Sequence, residues 1–151
     1  MKRVGIVVGV CALAAAGAAL ALDVDAAIKA RHDYFHGVGK ANKALSEELK
    51  KPAPVVADLA QYAAVLDAEA PKLGTYFPAG TGLDTGLKTG AKPDIWAKPA
   101  EFKKDADAFA VAAHTLNAAA KGGDLVAIKT AAGALGGTCK TCHETFRKEE
   151  H

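Results

Sequence analysis

Cys139-Lys140-Thr141-Cys142-His143-Glu144-Thr145-Phe146-Arg147, residues 139–147, sets two cysteines three apart with a histidine directly after the second. On an α-helix, residues three and four apart share a face. One helical turn therefore offers two thiols and an imidazole to the same neighbour. C-x-x-C-H is the attachment signature of a c-type haem. Cys139 and Cys142 can form thioethers to the two vinyl edges of one porphyrin, while His143 reaches the iron as its proximal, metal-binding ligand.

Three other uses of the motif fit this chain less well. A thioredoxin-like dithiol expects a strand–helix setting, which this chain lacks. Zinc wants two further ligands, and the remaining histidines are scattered at positions 32, 36, 114 and 151. A disulfide across so short a loop adds little loop-closure stabilisation.

Outward from the motif, the pattern is helical. Half the chain is apolar but only 6% is aromatic, and much of the apolar share is alanine, the best helix former and a poor strand former. Apolar spacing near 3.6 residues predicts four helices. The first covers about Asp25 to Lys50, with Ile28, Phe35, Val38, Leu45 and Leu49 on one stripe. Pro52 and Pro54 separate it from a second, whose Val55, Val56, Leu59, Tyr62, Leu66 and Leu73 face inward before a stop at Gly74. Residues 74–98 are rich in Gly, Pro and Thr and read as a long irregular connection. A loop of that length in a compact domain has a job or wraps something, and Tyr76, Phe77, Ile95 and Trp96 are expected to pack it on the bundle. The third helix spans about Pro99 to Lys121, with Phe102, Phe109, Ala113 and Leu116 inward. Gly122-Gly123 breaks it, and Asp124 is placed to cap the fourth. That helix carries Leu125, Ile128, Leu135, the two cysteines and Phe146. Its Gly136-Gly137 pair can bend it or let a flat ring approach. The fold class is all-α, an antiparallel four-helix bundle.

The N-terminus reads as a secretory signal. Lys2 and Arg3 precede an apolar run from Val4 to Leu20, closed by the A-x-A pattern Ala19-Leu20-Ala21. The division is a signal peptide at 1–21 and a haem-carrying bundle at 22–151, with the periplasm as destination and no membrane anchor after cleavage. An uncleaved anchor is the rival; the run is about long enough to span, but its many Ala and Gly residues make it weakly hydrophobic. Val10 fits a lipoprotein site at Cys11 poorly. Cleavage leaves seventeen residues of each charge sign, so the formal +2 belongs to the leader. A neutral chain without a basic block carries no electrostatic footprint for nucleic acid.

An exported helical chain with C-x-x-C-H near its C-terminus resembles the class II cytochromes c, and most closely cytochrome c′. The most specific stretches are CKTCHETFR at 139–147, KARHDYF at 29–35, YFPAGT at 76–81 and PDIW at 93–96. The resemblance implies one haem c held by two thioethers, an Arg31 that pairs with a haem propionate, and His32 beside that propionate. It implies that Phe35, four residues after Arg31, covers the distal face, and that Arg147 stands beside the proximal imidazole. Thr89 and Gly90 align where relatives add a polar contact, which Gly90 cannot supply. Two of these residues also have ordinary uses: Phe35 as a core aromatic, Arg147 as a surface cation favoured near a helix C-terminus.

Function turns on the sixth position of the iron. The single methionine is Met1, so the mature chain has no His/Met ligation. Phenylalanine has no lone pair, so with Phe35 distal the iron is five-coordinate. His32 and His36 are the competing ligands; His36 sits about 100° around the helix from Phe35 and should face away. His114 is expected to be partly buried, and His151 is terminal. The expected function is a gas-binding haem protein (NO, CO) able to exchange one electron. The alternative is a dedicated electron carrier with six-coordinate haem, its periplasmic redox partner open. No enzyme is expected, since Phe35 and its neighbours offer no acid–base pair. Homodimers are common among such relatives, and an apolar flank on the first two helices can serve as the contact.

Overall fold

The structure, a computed structural model, describes residues 23–148. The expected leader at 1–21, with Met1 and Cys11, and the terminal His151 lie outside the described residues. Asp23 opens the first helix, α1 (Val24–Leu49): its backbone is extended and its carboxylate accepts from the Ala26 N–H at 2.9 Å, satisfying one of the donors a helix start leaves unpaired. At the far end the buried Glu48 accepts from the Val55 N–H at 2.8 Å and pairs with Lys51, which clamps the Pro52–Pro54 turn.

The second helix, α2 (Val56–Glu69), is shorter than its apolar stripe suggests. Pro71 has no N–H to give and its ring crowds the preceding turn. The chain accordingly tightens into a 3-10 helix over Ala70–Tyr76 before Gly74 is reached. Val55, expected to face inward, is 48% exposed because it is the extended cap residue and lies off the helical stripe.

Residues 77–98 are less irregular than expected. They hold a 3-10 turn at Leu83–Thr85 and a short helix, α3 (Asp94–Ala97). Trp96 pins this segment by donating its indole N–H to the Phe77 carbonyl at 3.1 Å. Its ring lies so close to Gly82 that an added Cβ would stand 2.6 Å from Cζ3. Pro99 then starts α4 (Pro99–Gly122), a position where its missing N–H costs nothing. Gly123, at φ +77°, closes the helix with its N–H on the Ala119 and Ala120 carbonyls. Asp124 caps α5 (Leu125–Phe146) by accepting from Val126 at 2.8 Å. Gly136 and Gly137 leave α5 unbroken, and an added Cβ at either would meet nothing within 4 Å.

The long helices α1, α2, α4 and α5 form the bundle. Leu45, Leu59, Leu66, Leu116, Ile128 and Leu135 are fully buried at its centre, each burial worth about 1.5–3 kcal/mol. Helix α1 packs on α2, α2 on α4 and α4 on α5; α1 and α5 are not a closely packed pair. His114, expected to be partly buried, has a side chain 78% exposed, with Nδ1 3.4 Å from the Asp67 carboxylate. The buried polar group of that stretch is Asn117, which donates to Asp67 at 2.6 Å. No described helix is long and apolar enough to cross a membrane.

Candidate functional site

Cys139 and Cys142 continue the stripe of Leu135 and Phe146 along α5. Both thiols are free, half-buried and packed against the core. Burial raises the Cys139 pKa, and burial together with Asp105 and Cys139 pushes Cys142 up to about 11. A redox dithiol works through a depressed thiolate pKa, so these shifts argue against that use. Nor do the described residues contain a cluster of three His, Cys, Asp or Glu side chains placed to hold a metal ion, so zinc finds no ligand set there.

His143 lies on the exposed flank of the same turn. Local desolvation, and then the charge of Arg147, lower its pKa. The shift favours the neutral imidazole, the form whose lone pair a metal requires. Arg147 itself is not on the helical face of His143, because α5 ends at Phe146. Its backbone is extended, its N–H reaches the His143 carbonyl at 3.0 Å, and it forms an antiparallel bridge with Ala91. The Arg147 side chain runs past Gly90, where an added Cβ would lie 3.6 Å from Cγ.

On α1, Arg31 is 5% exposed and Phe35 half-buried, while His32 and His36 are exposed. Phe35 begins a run of rings. It meets Phe77 at 5.9 Å between centroids, Phe77 meets Phe102 at 4.9 Å, and Phe102 meets Phe146 at 5.3 Å, all edge to face. Tyr34 stacks on Tyr76 at 4.2 Å and donates its hydroxyl to the Glu69 carbonyl. An aromatic wall thus spans from α1 to α5 where those two helices do not pack directly. Spacing alone did not reveal that Phe77 and Phe102 would join Phe35 to Phe146; the only hint was their position beside the aromatic loop.

Arg31 is a buried cation that meets no carboxylate among the described residues; its acceptors there are hydroxyl and carbonyl oxygens of the loop. A cavity of about 450 Å³ lies between Pro71, Phe77, Trp96, Phe102 and Ala106, and a recess of about 240 Å³ lies between α4 and α5 beside Gly137 and Thr138. Neither is lined by Cys139, Cys142, His143, Arg31 or Phe35. Arg31 and Phe35 stand on α1, and Cys139, Cys142 and His143 on α5, the two long helices that do not pack closely on each other. Two protonated thiols one turn apart, a neutral imidazole beside them and an apolar aromatic wall make a donor set suited to a large flat macrocycle with two points of covalent attachment.

Comparison with known proteins agrees with that chemistry. The family model described as Cytochrome C′ matches residues 26–147. Cytochrome c′ of Pararhodospirillum photometricum is 42% identical over 125 residues, covering 82% of this chain and 98% of its own. Cytochrome c′ of Rhodospirillum rubrum is 35% identical over 150 residues, covering 99% of this chain and all of its own. Among solved structures, a nitric oxide complex of a point mutant of cytochrome c prime from Alcaligenes xylosoxidans superposes with a TM-score of 0.75 at 29% identity, over 84% of this chain and 97% of that one. The chain belongs to the cytochrome c′ family and carries one covalently attached haem c.

Proposed function

We propose that the chain is a periplasmic gas-binding haem protein whose iron is five-coordinate. Cys139 and Cys142 hold the haem through two thioethers and His143 is the metal ligand. When bound, the haem supplies an iron centre that takes a small gas and exchanges one electron. The residues decide which gas and how tightly. Phe35 covers the opposite face, excludes water and has no atom to give the metal. It also donates no hydrogen bond, which bound oxygen needs more than nitric oxide or carbon monoxide does. The carrying observation is the arrangement on α1: Phe35 is turned inward against Phe77, while His32 and His36 are exposed. The solved nitric oxide complex in the family supports the choice of ligand.

Local desolvation, and then the positive charge of Arg147, lower the His143 pKa and so favour its neutral imidazole. His32 stands on the rim of α1 next to Arg31, where a propionate can reach it. Among the described residues the rings packed on Phe35 are Tyr34 and Phe77, which make no acid–base pair, and this favours binding over turnover as the role. The leader sends the chain to the periplasm. A second copy is its expected partner, through the flank where Val65 stands exposed on α2 and Val55 at its cap.

Titrating the ferrous haem-loaded protein with nitric oxide and carbon monoxide tests the reading. Both gases bind the natural chain, and Phe35→Met, which introduces a thioether sulfur, weakens both. Failure of either gas to bind at any concentration overturns it.

A further inference from the structure

Helix α1 carries two histidines, His32 and His36, four residues apart. Residues at that spacing are neighbours on the helix surface, with about 5–6 Å between their Cβ atoms. At 3.6 residues per turn the two stand about 40° apart around the axis. The inward face of α1 is set by Arg31, Tyr34, Val38, Ala41 and Leu45, all buried, whereas His32, Asp33, His36 and Gly37 are exposed. The pair therefore lies on the outer face. Its placement follows from the backbone register of α1 and not from how the haem side of the bundle is filled.

Neither ring has an ion-pair partner among the described residues, where His114 alone of the histidines has one. Between the two rings in sequence, Asp33 pairs with Lys29. Its pKa is lowered first by the Lys29 hydrogen bond and, least, by charge on His32 and His36, so both imidazoles lie within electrostatic reach of that carboxylate. Imidazole is the commonest protein ligand for metals. Two histidines four apart on one helical face are also how the H-E-x-x-H motif brings both rings to one ion. Here no third protein ligand is at hand: Asp33 is committed to Lys29, and the residue one turn beyond His36 is Lys40, a cation. Such a pair falls short of a closed zinc site, which takes four protein ligands. Two nitrogen donors with water in the remaining positions suit Cu²⁺, which accepts tetragonal N,O surroundings and binds nitrogen sites more tightly than the other first-row divalent ions.

We propose that His32 and His36 form a bidentate Cu²⁺ site on the outer face of α1. An ion held by both rings binds only while the turn between them is helical, so binding stabilises that turn. Phe35 belongs to the same turn but points about 100° away from His36, so the site neighbours the distal residue without opening onto it. The site rests on the reading above in one respect, that neither histidine binds the iron.

Calorimetric titration of the ferric, haem-loaded protein with Cu²⁺ tests the site. Ferric iron leaves the ion oxidised, and the haem keeps Cys139, Cys142 and His143 occupied. The variants are His32→Ala, His36→Ala, His114→Ala, and a double variant joining His32→Ala to Lys40→His, which again sets two histidines four apart. The natural chain and His114→Ala should bind Cu²⁺ alike. Removing either ring of the pair should weaken binding at least about tenfold, since linking two donors gains about 10²–10⁴ in affinity, and the double variant should recover it. A natural chain that binds no more tightly than His36→Ala or His32→Ala overturns the proposal; in the second case a propionate would hold His32. So does a loss confined to His114→Ala, which would move the ion to Asp67, or a double variant as weak as the single ones. The ferric absorption spectrum separates the two readings. A low-spin spectrum overturns this site together with five-coordinate iron, whereas a high-spin spectrum without paired binding overturns this site alone.

Discussion

Glu48 is a buried carboxylate that works for the fold and not for the site. Its pKa is lowered first by the hydrogen bond from Lys51 and then by the Val55 N–H. The stability it contributes is therefore present above the ordinary glutamate value of 4.5 and is lost as pH falls through the lower, folded value. Glu48→Gln should lower the urea midpoint at pH 7 and leave a flatter decline towards pH 3 than the natural chain shows. A variant whose midpoint equals that of the natural chain at pH 7 would mean that the Pro52–Pro54 turn holds without the carboxylate. At this scale the sequence was only partly readable. The roles of Cys139, Cys142 and His143 are written in their spacing, because helical geometry turns spacing into a shared face. The partners of Glu48 and Arg31 are not, since each depends on where a loop returns: Arg31 meets Thr81 and Thr89, 50 and 58 residues away.

Helix ends follow local rules that the residues state openly. Asp124 caps α5, and Gly123 takes a left-handed φ of +77°, a conformation that costs other residues about 1–2 kcal/mol. Gly123→Ala should destabilise the fold by about 1 kcal/mol. An added Cβ meets only Val56 Cγ1 at 3.9 Å, so the cost is conformational and not steric. Asp124→Ala should cost about 1 kcal/mol through the lost cap. Urea denaturation reads both, and an unchanged midpoint in either variant would show the break between α4 and α5 to be set by tertiary packing. Four long helices were legible because their stripes and punctuation agree. The end of α2 was not: the apolar spacing continues through Leu73, but Pro71 forces the tighter 3-10 turn. Helix α3 was missed because four residues inside a Gly- and Pro-rich stretch carry no period to read.

Across the whole molecule, three helix–helix interfaces are built by protein alone, and the fourth side is spanned by the aromatic wall and the loop that bridges Ala91 to Arg147. With 6% aromatic residues, the chain has few bulky side chains of its own to complete that side, and the haem is expected to do so. The thioethers keep the haem on the chain in the unfolded state too, so it stabilises the fold through the apolar surface it covers there. Covalent haem loading should therefore raise hydrogen-exchange protection most in α1 and α5 and least at the interface of α2 with α4. Uniform protection on loading would contradict that division. The need for a filler was visible in the composition, rich in alanine and poor in aromatics, but the side it would fill required the packing order of the helices.

Coordination of the iron separates a gas-binding protein from a six-coordinate electron carrier. Absorption and resonance Raman spectra of the haem-loaded protein, ferric and ferrous and without added ligand, test it most directly. Five-coordinate high-spin spectra in both oxidation states are predicted, with His143 as the one protein ligand and Phe35 opposite. Low-spin spectra in both states would mean that His32 or His36 has turned inward to close the sixth position, and an electron carrier would replace the gas-binding protein.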